Sequence, residues 1–227
     1  APVFNSLYSK IHTQIGVDVL DDSFDYNIQT LEKLIHSHQL VYLASPNAFT
    51  GNIIDRSIIK QFLKNHPDSI FVIDETYYQF NNHNTVIDLV PKYENLVVIR
   101  SYSKAHGLAA DRFGFYATSN KSFIDLRPAN PCSLNTIAKV MDSYNNMHTS
   151  VNLIKKGKKV IEEELSKSAK VFRTKGNFVV CEFKQELYDK MIKIADFHTF
   201  DIDGCKFIKF TALPKNLAEE FIKDLDA

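Results

Sequence analysis

The chain has 227 residues, enough for one to two domains with a substantial core. Its 27 Lys and Arg are balanced by 27 Asp and Glu, so no surplus positive charge is available for a nucleic-acid backbone and no such partner is expected. A hydrophobic share of 44% with 24% charged residues is that of an ordinary soluble globular protein, and no apolar run approaches the ~20 residues that span a bilayer.

In chain order, residues 27–38, NIQTLEKLIHSH, place Ile28, Leu31, Leu34 and Ile35 on one helical face, with Asp25 or Asn27 available as the cap. The apolar run LVYLA at 40–44 follows, then the turn-rich stretch SPNAFTGN, then a second amphipathic segment in which Ile58, Ile59, Phe62 and Leu63 share a face. Two further runs are SIFVI at 69–73 and NLVVI at 95–99. Short, continuously apolar, β-branched runs alternating with helices predict a parallel sheet covered on both faces. From Ser133 a long helical pattern carries Ile137, Met141, Tyr144, Val151 and Ile154 into the charged stretch KKGKKVIEEELSK, a solvated helix face. Beyond it, VF at 171, NFVVCEF at 177–183, ELYDKMIKIA, KFIKFTAL and NLAEEFIKDL read as a small α+β unit. The expected fold class is α/β: a mostly parallel sheet with helices on both faces, plus a smaller C-terminal α+β domain. The expected division is a large α/β domain at 1–134, a connecting helix at 135–168 and the small domain at 169–227.

Cys132, Cys181 and Cys205 are odd in number, far apart and without CxxC spacing. They fit a reducing compartment, with the cytoplasm as the default, better than a disulfide framework or a zinc site. The eight histidines have no metal-ligand spacing, and no phosphate-loop, dinucleotide-binding, zinc-protease or nucleophile-elbow motif is present.

Parallel strands joined by right-handed crossovers place their carboxyl ends along one edge, where ligands bind in open α/β folds. Each apolar run here ends in a polar cluster: SPNAFTG, DETYYQF and RSYSK. Lys104 at the end of a buried strand is placed to form a Schiff base, because desolvation and nearby cations free its lone pair. Asp74, ending another apolar strand, requires a cationic partner, and a protonated pyridine nitrogen is one. Ser101, Ser103 and Arg112 offer hydroxyls and a planar guanidinium suited to a phosphate monoester, and Tyr77 offers a phenol. Aldehyde capture, ring-nitrogen charge and phosphate grip together describe pyridoxal 5'-phosphate. Glu75, beside Asp74, points to the opposite strand face and forms no dyad with it. His106, Tyr78, Asn47 and Asn177 read as packing or structural residues.

SPNAFTG, DETYYQF and SYSKAHGLAADRFG, in this order and spacing, resemble the signature segments of the fold-type I pyridoxal-phosphate enzymes, class I/II aminotransferases of the histidinol-phosphate aminotransferase kind. The resemblance implies that Lys104 forms the internal aldimine and then carries the proton between Cα and the cofactor carbon. It implies that Asp74 keeps the pyridine nitrogen protonated and that Tyr77 bonds the ring oxygen. Ser101, Ser103 and Arg112 would hold the phosphate, and Phe4 would stack on the ring. The implied substrates are an amino donor, either an amino acid or a phosphorylated amine, and a 2-oxo acid. A homodimer is implied as well.

The chain also departs from that pattern. Ala48 stands where the family's second Asn contacts the ring oxygen, Phe49 replaces a Pro, and Ala110 replaces a common Gly. Lys209 is the match for an arginine that clamps the substrate carboxylate, and lysine lacks the bidentate grip. Family members carry an upstream phosphate-cradling segment that precedes the start of this chain, so the expectation is a fragment of a longer protein or a shortened relative with a partial large domain. Two other readings stay open: a decarboxylase or lyase of the same fold, and an inactive remnant serving as an interaction module.

Overall fold

The computed structural model describes residues 25–37, 39–81, 84–124, 132–194, 197–202 and 204–226. Helix α1 (Ile28–Leu34) opens with Asn27, whose side chain accepts from the Thr30 N–H at 3.0 Å, satisfying a donor that the first turn leaves unpaired. The helix is shorter than its apolar spacing suggests because Ile35 is already extended, although it remains buried. Strand β1 (Leu40–Ala44), helix α2 (Arg56–Asn65, capped by Asp55), strand β2 (Ile70–Asp74) and strand β3 (Leu96–Ser101) follow. β1, β2 and β3 are parallel neighbours. Strand β4 (Gly114–Thr118) closes the order β1-β2-β3-β4 and runs antiparallel to β3. The core of this half joins Ile59, Phe62 and Leu63 of α2 to Phe71, Ile73, Leu96 and Val98 of the strands; each side chain so buried contributes about 1.5–3 kcal/mol.

After the short helix α3 (Lys121–Ile124), helix α4 (Leu134–Leu165) runs 32 residues from its Ser133 cap, about 48 Å at the usual rise. The second sheet contains β5 (Lys170–Phe172), β6 (Phe178–Glu182), β7 (His198–Ile202) and β8 (Cys205–Thr211), in the order β5-β6-β8-β7 and antiparallel throughout. Helix α5 (Gln185–Met191) and helix α6 (Lys215–Asp226) complete it. Its core packs Ile161 and Leu165 of α4 against Val179, Cys181, Ile208, Phe221 and Leu225. A third cluster, Tyr77, Phe80, Ala105, Met147, Val151, Phe178 and Val180, draws on the loops of the first sheet, α4 and the second sheet together. It forms the floor beneath the polar ends of β2 and β3.

Among the described residues no helix is long and apolar enough to cross a membrane, and no cluster of His, Cys, Asp and Glu could hold a metal ion.

Candidate cofactor-binding site

The strand ends meet along one edge: Ser45 N–H donates to the Asp74 carbonyl at 3.0 Å, and Glu75 N–H to the Ile99 carbonyl at 2.8 Å. Asp74 is the last residue of β2. Its Oδ1 accepts from the Thr76 N–H (2.8 Å) and Thr76 hydroxyl (2.6 Å), and its Oδ2 accepts from the Tyr42 hydroxyl of β1. The carboxylate is thereby aimed by two neighbours, with acceptor capacity left for a cation. Glu75 turns the other way. It is 1% exposed and accepts from Arg100 Nη2 (2.9 Å), Arg100 Nε (3.1 Å), the Thr85 hydroxyl and the Val86 N–H (2.6 Å). Arg100 in turn lies 3.7 Å from the Tyr78 ring centroid.

Lys104 follows β3 in a turn closed by Gly107 N–H to the Lys104 carbonyl (3.2 Å), with Gly107 at φ +70°. Its Nζ lies 5.4 Å from the Tyr77 ring centroid and has no hydrogen-bond partner among the described residues. Burial lowers the Lys104 pKa, the Arg112 charge lowers it further, and Asp74 opposes both. Tyr77 is buried with its ring edge-on to Phe178 at 5.4 Å. Burial, then the Asp74 charge, pushes its phenol up to about 12. Ser101 Oγ accepts from the Ser103 N–H (3.1 Å), and Arg112, at φ +50°, donates from Nη1 to the Ala109 carbonyl (3.1 Å).

Lys209, on β8 of the second sheet, also reaches this crevice. Its Nζ donates to the Ala48 carbonyl and lies 4.2 Å from the Phe178 ring centroid. Burial lowers its pKa to about 8, with Lys104 the second cause. Asp74, Tyr77, Lys104, Arg112 and Lys209 thus act on one another electrostatically, and Ser101 and Ser103 belong to the same turn. Phe4 lies outside the described residues.

Several contributors carry no motif. Tyr42 is a phenol inside an apolar strand, and such a group must find a partner. Phe178 supplies the wall between Tyr77 and Lys209. Phe49 is buried edge-on to Phe200 of β7 at 4.8 Å, so the residue that replaces the usual proline joins the loop after β1 to the second sheet. Asn47 braces that loop by accepting from the Phe49 N–H (2.8 Å) and Thr50 N–H (3.1 Å).

The donor set fits a phosphorylated pyridine aldehyde. Lys104 Nζ, the Tyr77 hydroxyl and the Ser103 hydroxyl have no hydrogen-bond partner among the described residues. They stand beside one aimed carboxylate and one guanidinium, groups suited to a ring nitrogen and a phosphate.

The sequence matches the model of the family described as aminotransferase class I and II over residues 12–224. A histidinol-phosphate aminotransferase of Thermoanaerobacter pseudethanolicus is 35% identical over 211 residues, 85% of this chain and 59% of that protein. The chain therefore spans less than two thirds of that relative's length. Among solved structures, a decarboxylase from Sulfurospirillum multivorans superposes with a TM-score of 0.82 at 16% identity, over 99% of this chain and 73% of that one. The histidinol-phosphate aminotransferase of Sinorhizobium meliloti, in complex with pyridoxal-5'-phosphate, has a TM-score of 0.71 at 18% identity, over 94% of this chain and 64% of that one. At these identities the structural likeness is one of fold.

Proposed function

The chain belongs to the aminotransferase class I and II family, and from that premise we propose that it uses pyridoxal 5'-phosphate to move an amino group between an amino acid or phosphorylated amine and a 2-oxo acid. The observation that carries this reading is the convergence of Lys104, Asp74 and Tyr77 on one crevice, with Arg112 acting on the lysine. When bound, the cofactor supplies an electron sink for the substrate carbanion. Burial and Arg112 favour the neutral Lys104 amine, the form that would be competent to hold the cofactor aldehyde and to act as a base toward a substrate Cα. Asp74, held by Tyr42 and Thr76, would keep a proton on the ring nitrogen. Tyr77 stays protonated across the physiological range and would donate to the ring oxygen. Ser101, Ser103 and Arg112 would hold the phosphate, the family resemblance assigns Phe4 to the ring, and Lys209 would meet a substrate carboxylate as a point charge.

Three further readings accompany this one. Residues 1–134 form part of the cofactor-binding domain, 135–168 the connecting helix and 169–227 the small domain. Homodimerisation is supported by the exposed side chains of Leu134, Ile137, Met141 and Tyr144, which share one face of α4. A reducing, cytoplasmic setting is supported by three unpaired cysteines.

The test is amino transfer to 2-oxoglutarate by the chain loaded with pyridoxal phosphate, paired with borohydride reduction and peptide mapping. A single reduced adduct on Lys104 with keto-acid turnover supports the reading. Carbon dioxide release without keto-acid turnover would replace it with decarboxylation, and adducts spread over surface lysines would replace it with an interaction module.

A further inference from the structure

We propose that His106 is a positioning residue for Lys104, its hydrogen bond to Ser143 clamping the lysine-bearing turn onto α4. Its role in the reaction rests on the function proposed above; the clamp itself rests on geometry alone.

His106 Nδ1 lies 2.8 Å from Ser143 Oγ, and Ser143 Oγ lies 2.6 Å from the Val140 carbonyl. A carbonyl oxygen only accepts, so the single hydroxyl hydrogen of Ser143 is committed to Val140. The imidazole must therefore donate from Nδ1, which fixes its tautomer. The ring is wedged edge-to-face between Tyr102 and Tyr144, each 4.8 Å away by centroid, and the two phenols hydrogen-bond to each other at 3.0 Å. The turn that His106 occupies is closed by Gly107 N–H to the Lys104 carbonyl (3.2 Å) and Leu108 N–H to the Tyr102 carbonyl (3.0 Å). Ala105, between the lysine and the histidine, is buried in the cluster with Tyr77, Met147 and Val151. Lys104 and His106 therefore move as one unit, bonded to α4 by His106 to Ser143, while Tyr102 to Tyr144 (3.0 Å) and Asp111 to Lys139 (2.9 Å) fasten the two flanks of the loop to the same helix.

The groups that face His106 are His148 of α4 and the two tyrosines; burial first and His148 second lower its pKa. Both effects favour the neutral ring, and a proton added at Nε2 leaves the Nδ1 donor in place. The contact is a fixed clamp rather than a switch. Its consequence falls on Lys104, whose four flexible methylenes can be aimed only by the backbone beneath them. Burial and the charges of Arg112, Asp74 and Lys209 around the Lys104 amine depend on where that turn sits, and a displacement of about 1 Å is enough to spoil a reactive geometry.

The test uses the chain without cofactor. Competitive acetylation with acetic anhydride is followed against pH by peptide mass mapping, with a small amine as internal reference. His106→Phe keeps a ring but removes the donor, and Ser143→Ala removes the acceptor. Both are expected to move the Lys104 titration midpoint upward, toward that of an exposed lysine. His106→Asn, which sets an amide N–H where Nδ1–H stood, is expected to restore it. The double variant His106→Phe/Ser143→Ala is expected to be no worse than the larger single effect, because one bond can be lost only once. Parent-like Lys104 titration in both single variants, or shifts that simply add, would overturn the clamp. Ser143→Ala deletes one hydroxyl and carries the test if His106→Phe melts early. Borohydride trapping of pyridoxal phosphate on the parent is run alongside: its failure counts against the proposed function, while the acetylation result still decides the clamp.

Discussion

The Lys209 ammonium of the second sheet donates a hydrogen bond to the main-chain carbonyl of Ala48, in the loop that follows the first strand of the other sheet. One cation thus joins the two halves of the molecule at the rim of the crevice. Its pKa, lowered from 10.5 to about 8 chiefly by burial, fixes two pH dependences. Below about pH 8 Lys209 is charged and offers a point charge to an anionic substrate; as pH rises through 8 that attraction disappears. For stability the sign is opposite. Between about 8 and 10.5 the unfolded chain holds this proton and the folded chain does not, so stability rises with pH across that window. Lys209→Met is expected to flatten both profiles and to weaken 2-oxo acid binding about tenfold or more, the size of one charge-assisted hydrogen bond. Calorimetric titration at pH 7 and urea midpoints at pH 7.5 and 10, compared with the parent, check this.

Asp74 and Tyr42 separate capture from turnover. Asp74→Asn keeps the shape of the strand end and loses the charge that, under the proposed function, would hold a proton on the ring nitrogen. Pyridoxal phosphate is expected still to be trapped on Lys104 by borohydride, while turnover falls about 10²–10⁴-fold, the range of general acid–base contributions. Tyr42→Phe removes only the hydroxyl on Oδ2 and is expected to give a smaller loss with the same trapping. Loss of trapping in Asp74→Asn would mean the carboxylate organises the lysine rather than the ring.

Glu75, one residue along, behaves as a structural acid. Replacing it by alanine leaves Arg100, only 14% exposed at its side chain, without its carboxylate. Removing one partner of a buried pair costs about 3–5 kcal/mol, which a urea midpoint would register directly. The fraction of Lys104 trapped under native conditions is expected to remain that of the parent. A selective loss of trapping at unchanged stability would instead place Glu75 in the site.

How much of this was legible in the sequence depended on what each residue borders. β2 and β3 were readable because their central residues are buried on both faces, which demands an unbroken apolar run, and β1 shares that run although only Leu43 of it is buried. β4 was hidden: it starts on the last glycine of the arginine motif, and Phe115 and Tyr116 are exposed at 39% and 40%, so no burial pattern marks it. β7 was missed for a similar reason, since His198, Thr199 and Asp201 are exposed and the strand is defined by its pairing with β8. Asp74, Tyr77 and Lys104 stood at strand ends, where topology alone directs them to one edge. Tyr42 and Phe178 look like core in any one-dimensional reading, and only strand pairing brings them to the carboxylate and to Lys209. The polar partner of His106 lies on α4, and no local spacing connects Ser143 to the lysine motif.

Gly157 provides a contest between two effects of known sign. It lies in the interior of α4, where Gly→Ala ordinarily adds about 1 kcal/mol of stability through helix propensity. A Cβ built there, however, would stand 2.0 Å from the Leu213 carbonyl oxygen and 2.7 Å from the Pro214 carbonyl carbon. Both obstacles are backbone, and both belong to the segment that leads into α6, whose Ala218, Phe221 and Leu225 pack in the same core as Ile161 and Leu165 of α4. Relief requires that α6 move as a body, at an overpacking cost of about 1–3 kcal/mol or more. Gly157→Ala is therefore expected to destabilise the chain despite its better propensity. Gly107→Ala makes the contrasting control: its Cβ would meet nothing within 4 Å, and the penalty there is confined to the left-handed backbone at φ +70°. Thermal melts of the two variants decide the matter. A Gly157→Ala chain as stable as the parent would mean that α4 and α6 are more loosely seated than these distances imply.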